Sequence, residues 1–306
     1  MDFKKIRVTI SRFLAWLALN ICSLIIKLVS VGSLYSFSKH LGSLGYWFAS
    51  RQRKIALESL SLAFGLEKSR VELEQIAKDC FILMAKSGFE LLFLMDRPAD
   101  LRRRVEMSGK EHLDSALAKG RGVILVSAHF GSFPLLLAKL SLEGYRAGGI
   151  MRHMRDARAE KFFLEKRQRL NIKTIYSQPR KACVDTTIKS LRDNEVVFIP
   201  LDQNFGTAGV FVDFFGRKAA TATGPVVLAQ RTKAAIVPCF IIRKPDDKHS
   251  IIFEPALDLT AGDNPREIIS INIQRLTGII ESYIRKYPAE WGWIHKRWKS
   301  RPSLET

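Results

Sequence analysis

His129 ends the apolar run Val123-Ile-Leu-Val-Ser-Ala-His129 and is followed by Phe130-Gly131-Ser132, Phe133-Pro134 and the stretch Leu135-Leu-Leu-Ala-Lys-Leu140. That order predicts a buried strand delivering one imidazole to its carboxyl end, then a tight turn, then a helix. Open α/β sheets collect their reactive groups at that end. A neutral imidazole near pH 7 is suited to taking a proton from a hydroxyl. His129 is therefore the candidate general base, although a lone histidine also serves structural roles. Gly131 leaves room for a ligand beside the backbone.

The same construction recurs at Val196-Val-Phe-Ile-Pro-Leu-Asp202-Gln203. Parallel strands share one rim, so His129 and Asp202 are expected to open on one crevice. The plainer reading of Asp202 is a turn-former or helix cap. A third strand end, Met151-Arg152-His153-Met154-Arg155, runs into Arg158, Lys161, Lys166, Arg167 and Arg169. Residues 151–181 hold ten Lys/Arg against three acids. The cluster reads as a docking site for phosphates or an acidic protein, or as a solvated face in which Glu160 and Glu165 make i,i+4 pairs. Thr223-Gly224-Pro225 looks like a helix start with Thr223 as N-cap.

Other chemistries find no support. Metal-ligand spacing, a Walker loop and a GxGxxG turn are missing from the sequence. Cys22, Cys80, Cys183 and Cys239 are far apart, which argues against a disulfide framework or zinc site and fits a reducing compartment.

The elements that must position these residues change character along the chain. Residues 40–97 read as helices, with Gly65 at a C-cap position, a Ser69-x-x-Glu72 capping box and Glu90 as a partly buried helix acid. From residue 122, short apolar runs alternate with helical stretches. The expected strands are 123–128, 148–151, 172–176, 196–201, 236–242 and 250–253. Helices are expected over 157–170, 182–192, 224–233 and 265–287. Crossovers of that length imply an α/β fold, a mostly parallel sheet flanked by helices. No linker divides the body, so residues 41–306 are expected to form a single domain.

Residues 1–40 are expected to be a membrane anchor or interfacial helix. The apolar stretch from Phe13 runs to Ile26, and on to Phe37 only if Lys27 lies mid-span. A spanning helix needs about 20 apolar residues. The alternative is a helix lying in the interface with Arg12, Lys27 and Lys39 reaching lipid phosphates. The net charge of +19 is clustered: residues 1–60 hold nine Lys/Arg against two acids, framing the apolar stretch. Nucleic-acid binding would call for aromatic residues interleaved with the clustered basic ones or for a recognisable module, and neither is evident. An anionic membrane face and an acidic partner fit better.

Taken together these blocks resemble the late acyltransferases of lipid A biosynthesis, the lauroyl/myristoyl type within the lysophospholipid acyltransferase superfamily. The resemblance rests on Ser127-Ala-His129-Phe-Gly, Met151-Arg152, Leu201-Asp202-Gln203, Gly209-Val-Phe-Val-Asp-Phe-Phe-Gly216 and Ala220-Thr-Ala-Thr-Gly224-Pro225. Its most specific block is Pro288-Ala-Glu-Trp291-Gly-Trp293-Ile-His295-Lys-Arg297-Trp298-Lys299. It implies transfer of a fatty acyl chain from acyl carrier protein to a hydroxyl of a lipid A precursor, other glycolipid or lysolipid, at the cytoplasmic face of the bacterial inner membrane. The thioester is already activated, so no metal or nucleotide cofactor is implied.

The resemblance makes His129 the catalytic base, Arg152 the strand-end arginine and Asp202-Gln203 the acid–amide pair. Gly131, Arg152, Arg155, Arg158, Lys166, Arg169 and Gln203 are the expected substrate-binding residues. Backbone N–H groups near Gly131 or the Arg152 guanidinium are expected to hold the oxyanion. The family's pattern is His-x4-Asp/Glu, whereas this chain carries Pro134. Asp202 is expected to supply the missing acid. The competing expectation is an impaired acyltransferase fold that binds lipid or acts as a membrane scaffold.

Overall fold

A computed structural model describes residues 3–302; the side chains of residues 1–6, 8 and 27, and so any lipid contact by Lys27, lie outside that description. Five helices come first: α1 (Phe3–Ile25), α2 (Val31–Phe48), α3 (Ser50–Phe64), α4 (Arg70–Leu94) and α5 (Pro98–Arg104). Then follow β1 (Val105–Ser108), α6 (Lys110–Leu117), β2 (Val123–Ser127), α7 (Phe133–Leu142), β3 (Ala147–Met151), α8 (Ala157–Arg169), β4 (Lys173–Tyr176), α9 (Arg180–Arg192) and β5 (Val196–Pro200). The rest is β6 (Val210–Phe214), β7 (Arg217–Thr221), α10 (Gly224–Thr232), β8 (Ala235–Arg243), β9 (His249–Phe253) and α11 (Pro265–Lys286).

Among the described residues, seven strands form one sheet in the order β1-β9-β8-β2-β5-β3-β4, and only the β8–β9 pairing in it is antiparallel. β2 is central and buried along its whole length, as a strand covered on both faces must be. Its residues alternate between two cores. Ile124 and Val126 belong to the core that holds Leu276 and Ile280 of α11 with Trp291 and Trp293. Val123 and Leu125 belong to the other, with Leu136 and Leu140 of α7.

The expected strands are present within a residue or two. β1 and the β6–β7 hairpin were not expected. β1 is short and alternates in burial, so it carries no apolar run. The hairpin closes on Phe215-Gly216, both at positive φ.

α4 opens with the expected capping box between Ser69 and Glu72. Thr223 does not cap α10: its backbone is helical and its side chain makes no cap bond. Glu90 is 1% exposed, far more buried than expected. It pairs with Arg243 at 2.6 Å and His249 at 3.0 Å and accepts from the Tyr35 hydroxyl at 2.8 Å. Burial works to raise its pKa, but His249 and Arg243 outweigh it and hold the carboxyl at about 2. This network fastens α4 to β8 and β9, and α4 forms one wall of the site.

The N-terminal helix breaks where a spanning segment would have to continue. Ile26–Leu28 tightens into a single 3-10 turn, Val29 is extended, and Ser30 caps α2 by accepting from the Ser33 N–H. Among the described residues no helix is long and apolar enough to cross a membrane. Ile10, Leu14, Leu17, Ile21 and Leu24 of α1 are exposed at helical spacing, on one face.

Candidate active site

His129 and Asp202 meet at the carboxyl ends of β2 and β5. His129 Nδ1 lies 2.8 Å from Asp202 Oδ1, and the His129 backbone N–H donates to Asp202 Oδ2 at 3.0 Å. The Trp291 indole N–H donates to the same Oδ2 at 2.8 Å. Asp202 is thus a buried carboxylate with three donors. Burial alone would raise its pKa, but the imidazole and these hydrogen bonds hold it well below the usual carboxylate range. The reciprocal effect acts on His129. Burial works to lower its pKa, the Asp202 charge and hydrogen bond raise it, and the net shift is upward.

An ionised Asp202 fixes the tautomer with the proton on Nδ1, leaving the Nε2 lone pair free to act as a base. The Gln203 side-chain nitrogen lies 3.3 Å from Nε2 and donates to it. Phe133 holds the imidazole from the side, its ring edge-on with centroids 5.1 Å apart.

The imidazole opens on a cavity of about 400 Å³. One face of α4 lines it with Cys80, Leu83, Met84, Ser87, Gly88 and Leu91. Phe133, Pro134 and Ile294 add further apolar lining, and His129, Gln203, Glu290 and His295 supply polar groups. A largely apolar cavity with a few convergent polar groups is the usual form of a small-ligand site. A second cleft, of about 380 Å³, lies where β3 and β4 begin, at the other end of the sheet from His129. Lys173 and Glu195 in its wall satisfy each other at 2.7 Å.

Comparison with known proteins supplies the family. Residues 1–300 match the bacterial lipid A biosynthesis acyltransferase family. The chain belongs to that family. It is 28% identical to the lipid A biosynthesis lauroyltransferase of Escherichia coli (strain K12), over 95% of this chain and 92% of the relative. Identity to that organism's lipid A biosynthesis palmitoleoyltransferase is 25%, over 96% and 94% of the two chains. A phosphatidylinositol mannoside acyltransferase of Mycobacterium tuberculosis (strain ATCC 25618 / H37Rv) is 26% identical over 63% of this chain and 59% of the relative. The enzyme reading, an O-acyltransferase working on a lipid acceptor, follows from this membership.

For a lipid A acyltransferase of this family, the placement of the remaining expected residues is informative. Arg152 and Arg155 are exposed in the loop after β3, whose carboxyl end lies on the same edge of the sheet as that of β5; neither lines the cavity. The basic helix behind them is largely spoken for. Arg158 pairs with Asp156 at 2.7 Å and lies over the rings of Phe13 and Trp16 on α1. Lys166 is buried against Asp96 at 2.6 Å, and Arg169 approaches the same acid at 3.8 Å. Lys166 therefore faces inward rather than toward a docking partner.

Gly131 lines the cavity, but its missing side chain serves the backbone. Its φ is +55°, and a Cβ there would stand 2.2 Å from the Ile241 carbonyl oxygen. Its N–H is already donated to the Glu290 carbonyl at 2.8 Å, so it is not a free oxyanion donor.

The C-terminal block, which carries the most specific sequence resemblance but no role legible from sequence, braces the pair. Besides the Trp291 bond, Gly292 N–H donates to the His129 carbonyl at 3.2 Å. Arg297 is buried and donates to the carbonyls of Gln203 and Ala220 at 3.2 and 2.6 Å. Burial lowers its pKa to about 10, still leaving it charged.

Proposed function

We propose that this enzyme transfers a fatty acyl group from an acyl thioester, carried by acyl carrier protein, to a hydroxyl of a lipid A precursor or related glycolipid. The observation that carries the reading is the His129–Asp202 hydrogen bond of 2.8 Å at the mouth of an apolar cavity. In the reaction, the acceptor hydroxyl displaces the Gln203 amide from His129 Nε2 and gives its proton to that nitrogen. Its oxygen attacks the thioester carbonyl, forming a C–O bond and a tetrahedral oxyanion. The freed Gln203 amide, on the same rim, donates to that oxyanion. Collapse breaks the C–S bond, and the departing thiolate takes the proton back from the imidazolium. Asp202 stays ionised and stabilises the charged ring.

In this reading the N-terminal region lies in the membrane interface on the cytoplasmic side. The exposed apolar face of α1 and the break at Ile26–Leu28 support an interfacial over a spanning segment. The donor exists only in the cytoplasm. The alternative of an impaired scaffold draws on Pro134 alone. The Asp202 carboxylate within hydrogen-bond reach of Nδ1 weighs against it.

The test is a purified assay in mixed micelles with acyl carrier protein thioester and a lipid A precursor, read by mass spectrometry. Acylated product with wild type and none with His129→Ala is expected. Failure of the wild-type protein to acylate any hydroxylated lipid, with either carrier protein or coenzyme A thioesters, overturns the reading.

A further inference from the structure

Three of the glycines on the helical N-terminal half differ in what the fold asks of them. Gly42 on α2 is required by packing: a Cβ there would lie 2.5 Å from the Ile82 Cα, so α2 and α4 can cross this closely only without a side chain. Gly45, on the next turn, would meet only Phe81, at 3.7 Å. Gly88 is different again. It sits in the interior of the 25-residue α4, where glycine weakens a helix relative to alanine. A Cβ built on it meets nothing within 4 Å, and its φ lies outside the left-handed range. Neither backbone conformation nor a described neighbour explains the residue.

What Gly88 does adjoin is the cavity. It lines the cavity beside Met84, Ser87 and Leu91 of α4, with Phe133 and Pro134 in the same lining. The space a side chain would occupy is cavity space. That cavity is lined mainly by apolar groups, Ser87 being the polar exception on α4, and His129 stands in its lining, which suits a hydrocarbon chain whose carbonyl must meet the imidazole. The site of the helix penalty therefore coincides with the place where bulk would shorten the chain-binding volume.

We propose that Gly88 is a specificity-determining residue: by leaving α4 bare at this point it sets the length of acyl chain that the donor can deliver. The proposal rests on the acyl-transfer reading above and adds the identity of the measuring wall. A side chain at position 88 removes room in the cavity that a donor chain otherwise fills. A hydrophobic pocket distinguishes one methylene by roughly 10- to 200-fold, so a single added methyl is enough to register.

The experiment compares wild type, Gly88→Ala and Gly88→Leu with saturated acyl carrier protein thioesters of stepwise increasing length, competing for one lipid acceptor. Wild type is expected to show one preferred length. Gly88→Ala should move the preference shorter, lowering kcat/KM for the longest good donor by about 10-fold or more relative to the next shorter one. Gly88→Leu should move it further. Both replace a mid-helix glycine, so thermal denaturation should show Tm unchanged or raised, which separates selectivity from misfolding. A wild-type length profile in both variants overturns the proposal while leaving acyl transfer in place. So does uniform loss of activity at every length in a folded variant, or a shift that follows the acceptor's chains at a fixed donor. Absence of transfer by wild type removes the acyl-transfer reading itself, and the proposal with it.

Discussion

His129 and Asp202 hold equivalent positions on neighbouring parallel strands: the last paired residues of β2 and β5 are Ser127 and Pro200, and each functional side chain stands two residues beyond its own strand's member of that pair. The parallel ladder continues one bond further, from Leu201 N–H to the Ser127 carbonyl at 2.8 Å. The next position in the ladder is taken by the Asp202 carboxylate, which accepts the His129 backbone N–H. The sheet's own spacing thus brings imidazole and carboxylate together. Asp202→Asn should keep this backbone bond but lose the preference for the Nδ1-protonated tautomer. The comparable loss in the serine-protease triad costs about 10⁴-fold. We expect kcat to fall by about 10³- to 10⁴-fold, with His129→Ala at least as severe and circular dichroism unchanged in both. A loss under tenfold in Asp202→Asn would dissociate the carboxylate from the chemistry.

The pH dependence follows from the directions of the two shifts. His129 must be neutral to act as a base, and its pKa is raised, so kcat/KM should rise with pH through a limb above the ordinary histidine value of about 6.5. In Asp202→Asn only burial remains to act on the ring, which moves the limb to lower pH. Stability carries the opposite signs. The His129 contribution is complete below about 6.5 and is lost as pH rises through its raised pKa. The Asp202 contribution is present above about 3.9 and is lost as pH falls toward its depressed pKa. The Tm difference between wild type and Asp202→Asn should be greatest between those values. A difference that grows steadily up to alkaline pH would contradict the pairing.

Pro134 occupies the place of the acid in the family's His-x4-Asp/Glu pattern, and it lines the cavity among apolar groups. With His129 Nδ1 already bonded to Asp202, no second acid is needed to orient the ring. Pro134→Ala should therefore change turnover by less than about tenfold, well short of the loss expected for the orienting carboxylate. Steady-state kinetics on the two variants side by side makes the comparison, and a larger loss in Pro134→Ala would reverse these roles.

The parts of the site that sequence exposed are those written in strand periodicity. His129, Asp202 and Arg152 each end an apolar run, and parallel strands bring such ends to one rim whatever lies between them. The residues that support them are written in no local pattern. Trp291 reaches Asp202 across 89 positions, and Glu90 reaches Arg243 across 153. Neither contact has a periodicity to betray it. The basic helix misled in one respect for the same reason. Lys166 reads as one cation among many, and only the fold brings Asp96 beneath it.

Docking of an acidic carrier or of lipid phosphates is accordingly expected to rest on the strand-end cations. Arg152 and Arg155 are exposed in the loop after β3, whereas Arg158 and Lys166 are committed to Asp156 and Asp96. Reversing Arg152 and Arg155 together to Glu should raise the apparent KM for donor or acceptor and flatten its dependence on salt. Charges that act by docking rather than on the reacting atoms contribute uniform binding, so kcat should change much less. Wild-type activity at subsaturating substrate should decline as salt rises, since screening acts over about 8–10 Å at physiological ionic strength. Lys166→Glu is the contrasting variant. It buries a second negative charge beside Asp96 and removes the partner of the first, a change of the kind that costs about 3–5 kcal/mol. It should lower Tm rather than alter KM in the fraction that remains folded. Finding the paired reversal at Arg152 and Arg155 without effect on KM at low ionic strength would return these arginines to an ordinary solvated surface.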